Sequence, residues 1–369
     1  MRRDLLALRV DRAEEAARWL SELLRSGSEL NTQALGTNTH FDAETWQAGL
    51  ERAVTPWADA QALLGAMEGD LHGHLGRTAV PPSSALVVLG GVLPPSHLQA
   101  VLRPWLLGAD VLVKAPSQDP GFPALVAAAF PGIRLTGRAD VAAYARTVDA
   151  VVAVGGDEAV RAIAALVPLS TPFLGYGDRL SIGFTDATAS TEALRGFADD
   201  VRLYDQRGCL SLRELWVRGE PTGVAERLVE QLRGSASRPS LGALEDRIRR
   251  FHDLAVMAGA VVHAEWSTEP ERRVLSWCVA VETDDAPLPP GPGGRVVVVR
   301  RWRPDGMTSS SPLSSVSVAG TPSAEERHAL VRLGASRLVA PGQLQAAPPS
   351  WWHDQRRPFS GLCRHLGDA

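Results

Sequence analysis

The chain has 369 residues, enough for two or three domains, and its 45% hydrophobic and 22% charged content is ordinary for a globular protein. A formal net charge of −4 gives no electrostatic case for nucleic acid or an anionic membrane surface. No apolar run reaches the roughly 18 residues needed to span a bilayer, and no signal peptide follows MRRDLLALRVDRAEE at the N-terminus.

In chain order, residues 1–25 carry apolar positions at helical spacing, and 28–41 is polar and aperiodic, so it reads as a loop. A second helical pattern covers about 43–68 and is broken at Pro56. From Ala85 the pattern changes. Apolar strands ALVVLGG (85–91), ADVLVKAP (109–116), DAVVAVGG (149–156) and TPFLGYG (171–177) alternate with short helices. Continuous apolar strands separated by helices predict βαβ units, a buried parallel sheet and a doubly wound α/β domain. After Cys209 a second α/β series begins with the strand LRELWVRG and helices near 221–233 and 241–258. Strands follow at 260–266, 274–282, 294–302 and 314–320, then a helix near 323–333, the short strand RLVAPGQ and the tail PSWWHDQRRPF.

Three cysteines, Cys209, Cys278 and Cys363, are odd in number and far apart. That argues against a disulfide framework or a four-cysteine zinc site, and for a reducing, cytoplasmic compartment. Cys278, inside the apolar strand VLSWCVAVE, and Cys363 near the C-terminus read as structural. Cys209, in DQRGCLSLRELWV, follows Gly208 among small and polar neighbours, as an accessible nucleophile would. A lone cysteine is more commonly a small buried hydrophobe, so the setting matters more than the residue. Arg207 is a candidate to stabilise its thiolate.

Of the 38 basic residues, Lys114 is the one lysine, and it ends a strand where open α/β sheets bind ligands. AVVAVGGDEAVRAI brings Gly155 and Gly156 to a strand–helix turn able to approach a ligand. Asp157 and Glu158 suit the helix dipole and disfavour phosphate there. The GxGxxG fingerprint is absent. His72 and His74 lack an evident third ligand, so no metal is expected, and His353-Asp354 reads as an exposed terminal pair.

In order, VVLGGVLPP, LLGADVLVKAPSQDPGFPAL, DAVVAVGGDEAVRAI, PFLGYGDRLSIGF, YDQRGCLSLREL, GGRVVVV and SRLVAPGQLQAAPPSWWHD resemble the acyl-CoA reductase family typified by the LuxC component of bacterial luminescence. That family lies within the aldehyde dehydrogenase superfamily. The resemblance implies an aldehyde dehydrogenase-like fold: N-terminal helices with a nucleotide-binding domain over 1–203, a catalytic domain over 204–330, and a tail, 331–369, packing back towards the first domain. It also implies that Cys209 attacks a fatty acyl thioester of coenzyme A or a carrier protein. The thioacyl enzyme is then reduced to the aldehyde. Lys114 and Ser117 match the region that holds the adenosine ribose, and Gly155 and Gly156 match the turn near the cofactor. Ser117 stands where NAD-preferring relatives often have glutamate, which favours NADPH over NADH. A homo-oligomer is compatible with the resemblance.

Two departures point in different directions. Aldehyde-oxidising relatives carry a glutamate base about thirty residues before the cysteine, and GYGDRLS (175–181) has none. Hydrolysis of a thioacyl enzyme needs such a base and reduction does not. The superfamily's oxyanion asparagine falls at Val92, in GVLP, and loss of one such donor typically costs about 10²–10³ in rate. The alternatives are therefore a catalytically degenerate binding or assembly protein, or acyl transfer through Cys209 without hydride chemistry.

Overall fold

A computed structural model describes residues 2–71, 78–233, 235, 242–267, 274–284, 287–303 and 311–366. His72 and His74 lie outside them. Among the described residues no group of three or more histidine, cysteine or acidic side chains is placed to hold a metal ion. No described helix is long and apolar enough to cross a membrane. The chain divides into two compact units, 1–39 with 50–178 and 346–369, and 40–49 with 179–345.

The first unit opens with the helix Arg2–Leu24. The stretch expected to be a loop holds a helix, Glu29–Gly36. Ser28 starts it by accepting the Asn31 backbone N–H at 3.0 Å, a local cap that hydrophobic periodicity does not reveal. The break at Pro56 is a short 3₁₀ turn, Thr55–Trp57, and the helix Ala60–Leu71 follows.

Strand β1 (Ala79–Val80) pairs antiparallel with Arg364–His365, which ties the end of the tail into this unit. Strands β2 (Ser84–Val88), β3 (Asp110–Lys114), β4 (Ile133–Leu135), β5 (Ala150–Val154) and β6 (Phe173–Tyr176) form a fully parallel sheet in the order β4-β3-β2-β5-β6. The chain winds outward from β2 in one direction and resumes at β5 in the other. The crevice between the carboxyl ends of β2 and β5 is therefore the switch point where such sheets bind ligands.

The second unit has seven strands: β7 (Leu180–Asp186), β8 (Leu212–Arg218), β9 (Val261–Trp266), β10 (Leu275–Val281), β11 (Val296–Arg301), β12 (Leu313–Val318) and β13 (Arg337–Val339). Their order is β13-β12-β7-β8-β11-β10-β9, parallel except for β9 against β10. Both faces are covered. Leu215, Val217, Trp277 and Val279 pack under the helices Thr191–Arg202 and Thr222–Leu232. Alternate residues meet the other face: Cys278 and Ala280 pack with Ile248 and Phe251, and Trp216 packs with Leu330. Double burial explains why these strands read as unbroken apolar runs.

The units part at Asp178/Arg179, whereas the family resemblance implied a division at 203/204. The reason is pairing: β7 joins β8 along Ser181–Asp186, and Phe197 and Val201 share a core with Leu228 and Leu232. Residues 331–345 likewise stay with the second unit, because β13 pairs with β12, and 346–369 belong to the first.

Candidate active site

In the second unit Cys209 is half-buried in a turn closed by Ser211 N–H donating to the Gly208 carbonyl at 3.2 Å. The turn sits at the amino end of β8. Just before it, Tyr204, Asp205 and Gln206 adopt φ of 54°, 49° and 56°. Left-handed backbone costs a non-glycine residue about 1–2 kcal/mol, so three in succession need outside support.

That support is visible. Arg295 Nε donates to Asp205 Oδ1 at 2.8 Å, with both side chains at most 3% exposed, and Gly294 N–H donates to the Asp205 carbonyl at 2.9 Å. The Gln206 amide acts as a clamp: its Oε1 accepts from Val296 N–H at 2.6 Å, while its Nε2 donates to the Val296 carbonyl at 3.1 Å and to the Leu212 carbonyl. The Tyr204 ring meets Phe41 edge-on at 5.2 Å and lies against Gly49, where a Cβ would collide with the ring. Complete burial pushes the Tyr204 phenol well above its usual value, so it is a neutral packing group.

From the other side, Ser181 Oγ donates to the Cys209 carbonyl at 2.6 Å and accepts from Ser315 N–H at 3.3 Å. Gln345 Nε2 donates to Ser211 Oγ at 3.3 Å. The Arg207 guanidinium lies over the Phe41 ring, 5.4 Å from its centroid. The cation in electrostatic contact with Cys209 that sequence reading missed is Arg337, at the start of β13. No local signal marks it, because β13 reaches this edge only through sheet pairing. Cys278 and Cys363 are buried, and burial pushes both thiols up to about 12, as expected of structural cysteines.

In the first unit the remaining candidates gather along the carboxyl edge of the sheet. Lys114 ends β3 in register with Val88 of β2, and Leu89 N–H donates to its carbonyl at 2.9 Å. Its amine is held below the usual range by partial burial and then by the charge of Arg138. Ser117 is exposed in the turn that follows. Arg138, exposed just beyond β4, adds a second cation to this edge, one that single-sequence reading passed over.

Two glycine turns meet at the switch point. A Cβ on Gly90 would stand 2.9 Å from the Val154 carbonyl oxygen and 3.2 Å from Gly155 Cα, so both backbones approach as only glycine permits. Gly156 is the N-cap of the helix Asp157–Ala164. Asp157 N–H donates to Asp178 Oδ2 at 3.3 Å and Asp178 N–H donates to Asp157 Oδ1 at 2.8 Å. Carboxylates thus occupy the helix start, and the acid in GYGDRLS is engaged there.

Val92 is buried, 4% exposed, and offers no side-chain hydrogen bond. Nearby His97 is 1% exposed and makes a 3.2 Å contact through Nε2 with the Gly90 carbonyl. Burial lowers it to about 4, which keeps the ring neutral, and the bond to Gly90 makes Nε2 the donor. His353 is not an exposed terminal residue: it is stacked between Tyr176 (4.3 Å) and Trp351 (4.4 Å), and the Asp354 side chain beside it is 2% exposed. Tail packing, which sequence position does not report, half-buries the pair.

The first unit holds a parallel-sheet ligand crevice, and the second holds a braced cysteine turn. Solved structures share this architecture. A salicylaldehyde dehydrogenase from Pseudomonas putida G7 aligns with a TM-score of 0.69 and 15% identity, covering 91% of this chain and 77% of that one. An oxidoreductase from Marinobacter aquaeolei aligns with a TM-score of 0.72 and 12% identity, covering 91% and 78%. At such identities the likeness establishes an aldehyde dehydrogenase-like fold. In sequence, the long-chain acyl-protein thioester reductase of Photobacterium phosphoreum is 25% identical over 238 residues, which is 60% of this chain and 44% of that protein. The reductase of Aliivibrio fischeri is 24% identical over 221 residues, 55% of this chain and 42% of that one. The matched stretches thus span less than half the length of these curated relatives. The acyl-CoA reductase (LuxC) family itself matches residues 76–365, from the end of the N-terminal helices through both units and into the tail, and the chain belongs to that family.

Proposed function

We propose that the chain reduces a fatty acyl thioester to the aldehyde with NADPH, using Cys209 as nucleophile. The observation that carries this reading is the half-exposed Cys209 turn, braced on both sides, in a chain of the acyl-CoA reductase family. The Cys209 thiolate attacks the thioester carbonyl carbon, the bond to the carrier sulfur breaks, and the carrier leaves as its thiol after taking a proton. When bound, the reduced nicotinamide supplies the hydride that takes the thioacyl group to the aldehyde level. Cys209 then departs as a thiolate as the carbonyl re-forms.

The glycine turns at Gly90 and Gly155–Gly156 suit close approach by a dinucleotide, so the residues present fit such a cofactor. Lys114 would hold the adenosine ribose. Lys114, Ser117 and Arg138 form a cationic edge without a carboxylate at Ser117, which supports NADPH over NADH. The long-chain acyl-protein reductases among the relatives support a fatty acyl group on coenzyme A or a carrier protein. A cytoplasmic setting belongs to the same reading, since it keeps Cys209 reduced.

Incubation with long-chain acyl-CoA and NADPH should yield aldehyde, and Cys209→Ala should abolish it. Undiminished aldehyde formation by that variant would overturn the assignment. One observation favours a second reading, a catalytically silent binding protein: the apolar, buried Val92 gives an oxyanion no side-chain donor. It predicts cofactor binding without turnover.

A further inference from the structure

We infer that Arg337 is a positioning residue for Cys209: its cation favours the thiolate, and its hydrogen bonds fix the turn that holds it. The inference rests on the reading of Cys209 as nucleophile and adds the group that activates it.

The geometry follows the sheet. β13, β12, β7 and β8 are successive neighbours, and their amino ends lie along one edge. Arg337 opens β13 and pairs in register with Ser315 of β12. Its Nε donates to Ser315 Oγ at 3.2 Å, Ser315 N–H donates to Ser181 Oγ at 3.3 Å, and Ser181 Oγ donates to the Cys209 carbonyl at 2.6 Å. Ser181 and Ser315 are fully buried, so this chain of three hydrogen bonds runs through the interior. Arg337 Nη2 also donates to the Leu344 carbonyl, which draws in the segment whose Gln345 bonds Ser211.

Burial pushes the guanidinium down to about 10, and the charges of Asp200 and Cys209 work against that fall. Such an interaction is mutual: whatever a Cys209 thiolate does for the cation, the cation does for the thiolate. Asp200 is the other anion acting on this guanidinium, and the larger of the two. Its carboxylate is committed to Gly342 N–H at 2.8 Å, Leu344 N–H at 3.1 Å and Ser317 Oγ at 3.0 Å, all within the same fold of chain. Two further arginines stand by the turn with partners of their own: Arg295 pairs with Asp205, and Arg207 lies over Phe41. A serine-lined interior beside a buried cation suits an activated thiol better than a structural one.

The test compares alkylation of Cys209 by anionic iodoacetate and neutral iodoacetamide at pH 7, with the modified residue located by peptide mass. A neighbouring cation raises the iodoacetate-to-iodoacetamide rate ratio above that of a small neutral thiol such as 2-mercaptoethanol. Arg337→Met should bring the ratio down to that of the free thiol and slow iodoacetamide about tenfold, equivalent to one unit in thiol acidity. Arg337→Lys should restore most of the charge selectivity. A purely structural role would not move the ratio in this way. An unchanged ratio in Arg337→Met overturns the inference. If that variant does not fold, a wild-type ratio no higher than the free thiol's overturns it equally. Reduction surviving in Cys209→Ala would instead sink the nucleophile assignment, whatever the ratio does, so the two failures are distinguishable.

Discussion

The two sheets present their candidate site residues at opposite edges and by opposite means. At the carboxyl edge of the first, glycines let backbones approach: Gly90 abuts Val154 and Gly155, with no strained side chain in either turn. At the amino edge of the second, left-handed backbone is carried by Tyr204, Asp205 and Gln206, residues that disfavour it. The first edge is open because side chains are missing. The second is held because distant groups pin it: the Arg295 side chain and the Val296 backbone stand 90 residues away in sequence from the groups they bind. A cofactor crevice needs room for backbone contact, whereas a nucleophile needs a fixed direction of attack.

The largest expected effect separates these two designs. Arg295→Met leaves the Asp205 carboxylate buried without its cation and should cost about 3–5 kcal/mol in urea unfolding. Removing both charges, with Asp205→Leu added, should recover most of the loss. If Arg295→Met is as stable as the parent, the ion pair does not brace the turn.

A second effect tests the glycine side through pH. His97 stays neutral down to about 4 when folded, while its unfolded value is near 6.5. Below 6.5 the unfolded chain binds a proton that the folded chain refuses. Stability is therefore full above 6.5 and falls as pH drops towards 4, by about 3 kcal/mol for this group. His97→Gln should flatten that part of the stability profile, and an unaltered profile would remove His97 from the account.

Smaller again, Gly90→Ala sets a Cβ against backbone atoms that cannot swing aside, at about 1–3 kcal/mol. It should weaken NADPH binding while sparing alkylation of Cys209. Equal damage to both would blur the distinction between the edges. At the low end, Lys114→Met should weaken NADPH about tenfold, and Ser117→Glu should shift preference towards NADH; fluorescence titration with each cofactor reads both.

The contrast also explains what the sequence made legible. Strand runs such as ALVVLGG and DAVVAVGG, and the glycines that end them, are local patterns, so the first edge could be read directly. Cys209 was singled out by its small neighbours and by family resemblance. Its brace was not, because Asp205 and Gln206 look like ordinary polar loop residues until Arg295 and Val296 are brought beside them. Arg337 and Ser315 were hidden for the same reason, their register being set by pairing between strands. The helix Glu29–Gly36 was missed on weaker grounds, since eight residues, half of them polar, carry little periodicity. The unit boundary moved because β7 and the helix Thr191–Arg202 are claimed by their partners in the second sheet.

The central claim is that Cys209 forms the thioacyl enzyme. Intact-protein mass spectrometry after mixing with palmitoyl-CoA, without reductant, tests it most directly. The account predicts a single added palmitoyl mass that maps to the Cys209 peptide, is discharged as aldehyde on adding NADPH, and is absent from Cys209→Ala. An acyl adduct that persists in Cys209→Ala, or no adduct in a protein that still produces aldehyde, would contradict it.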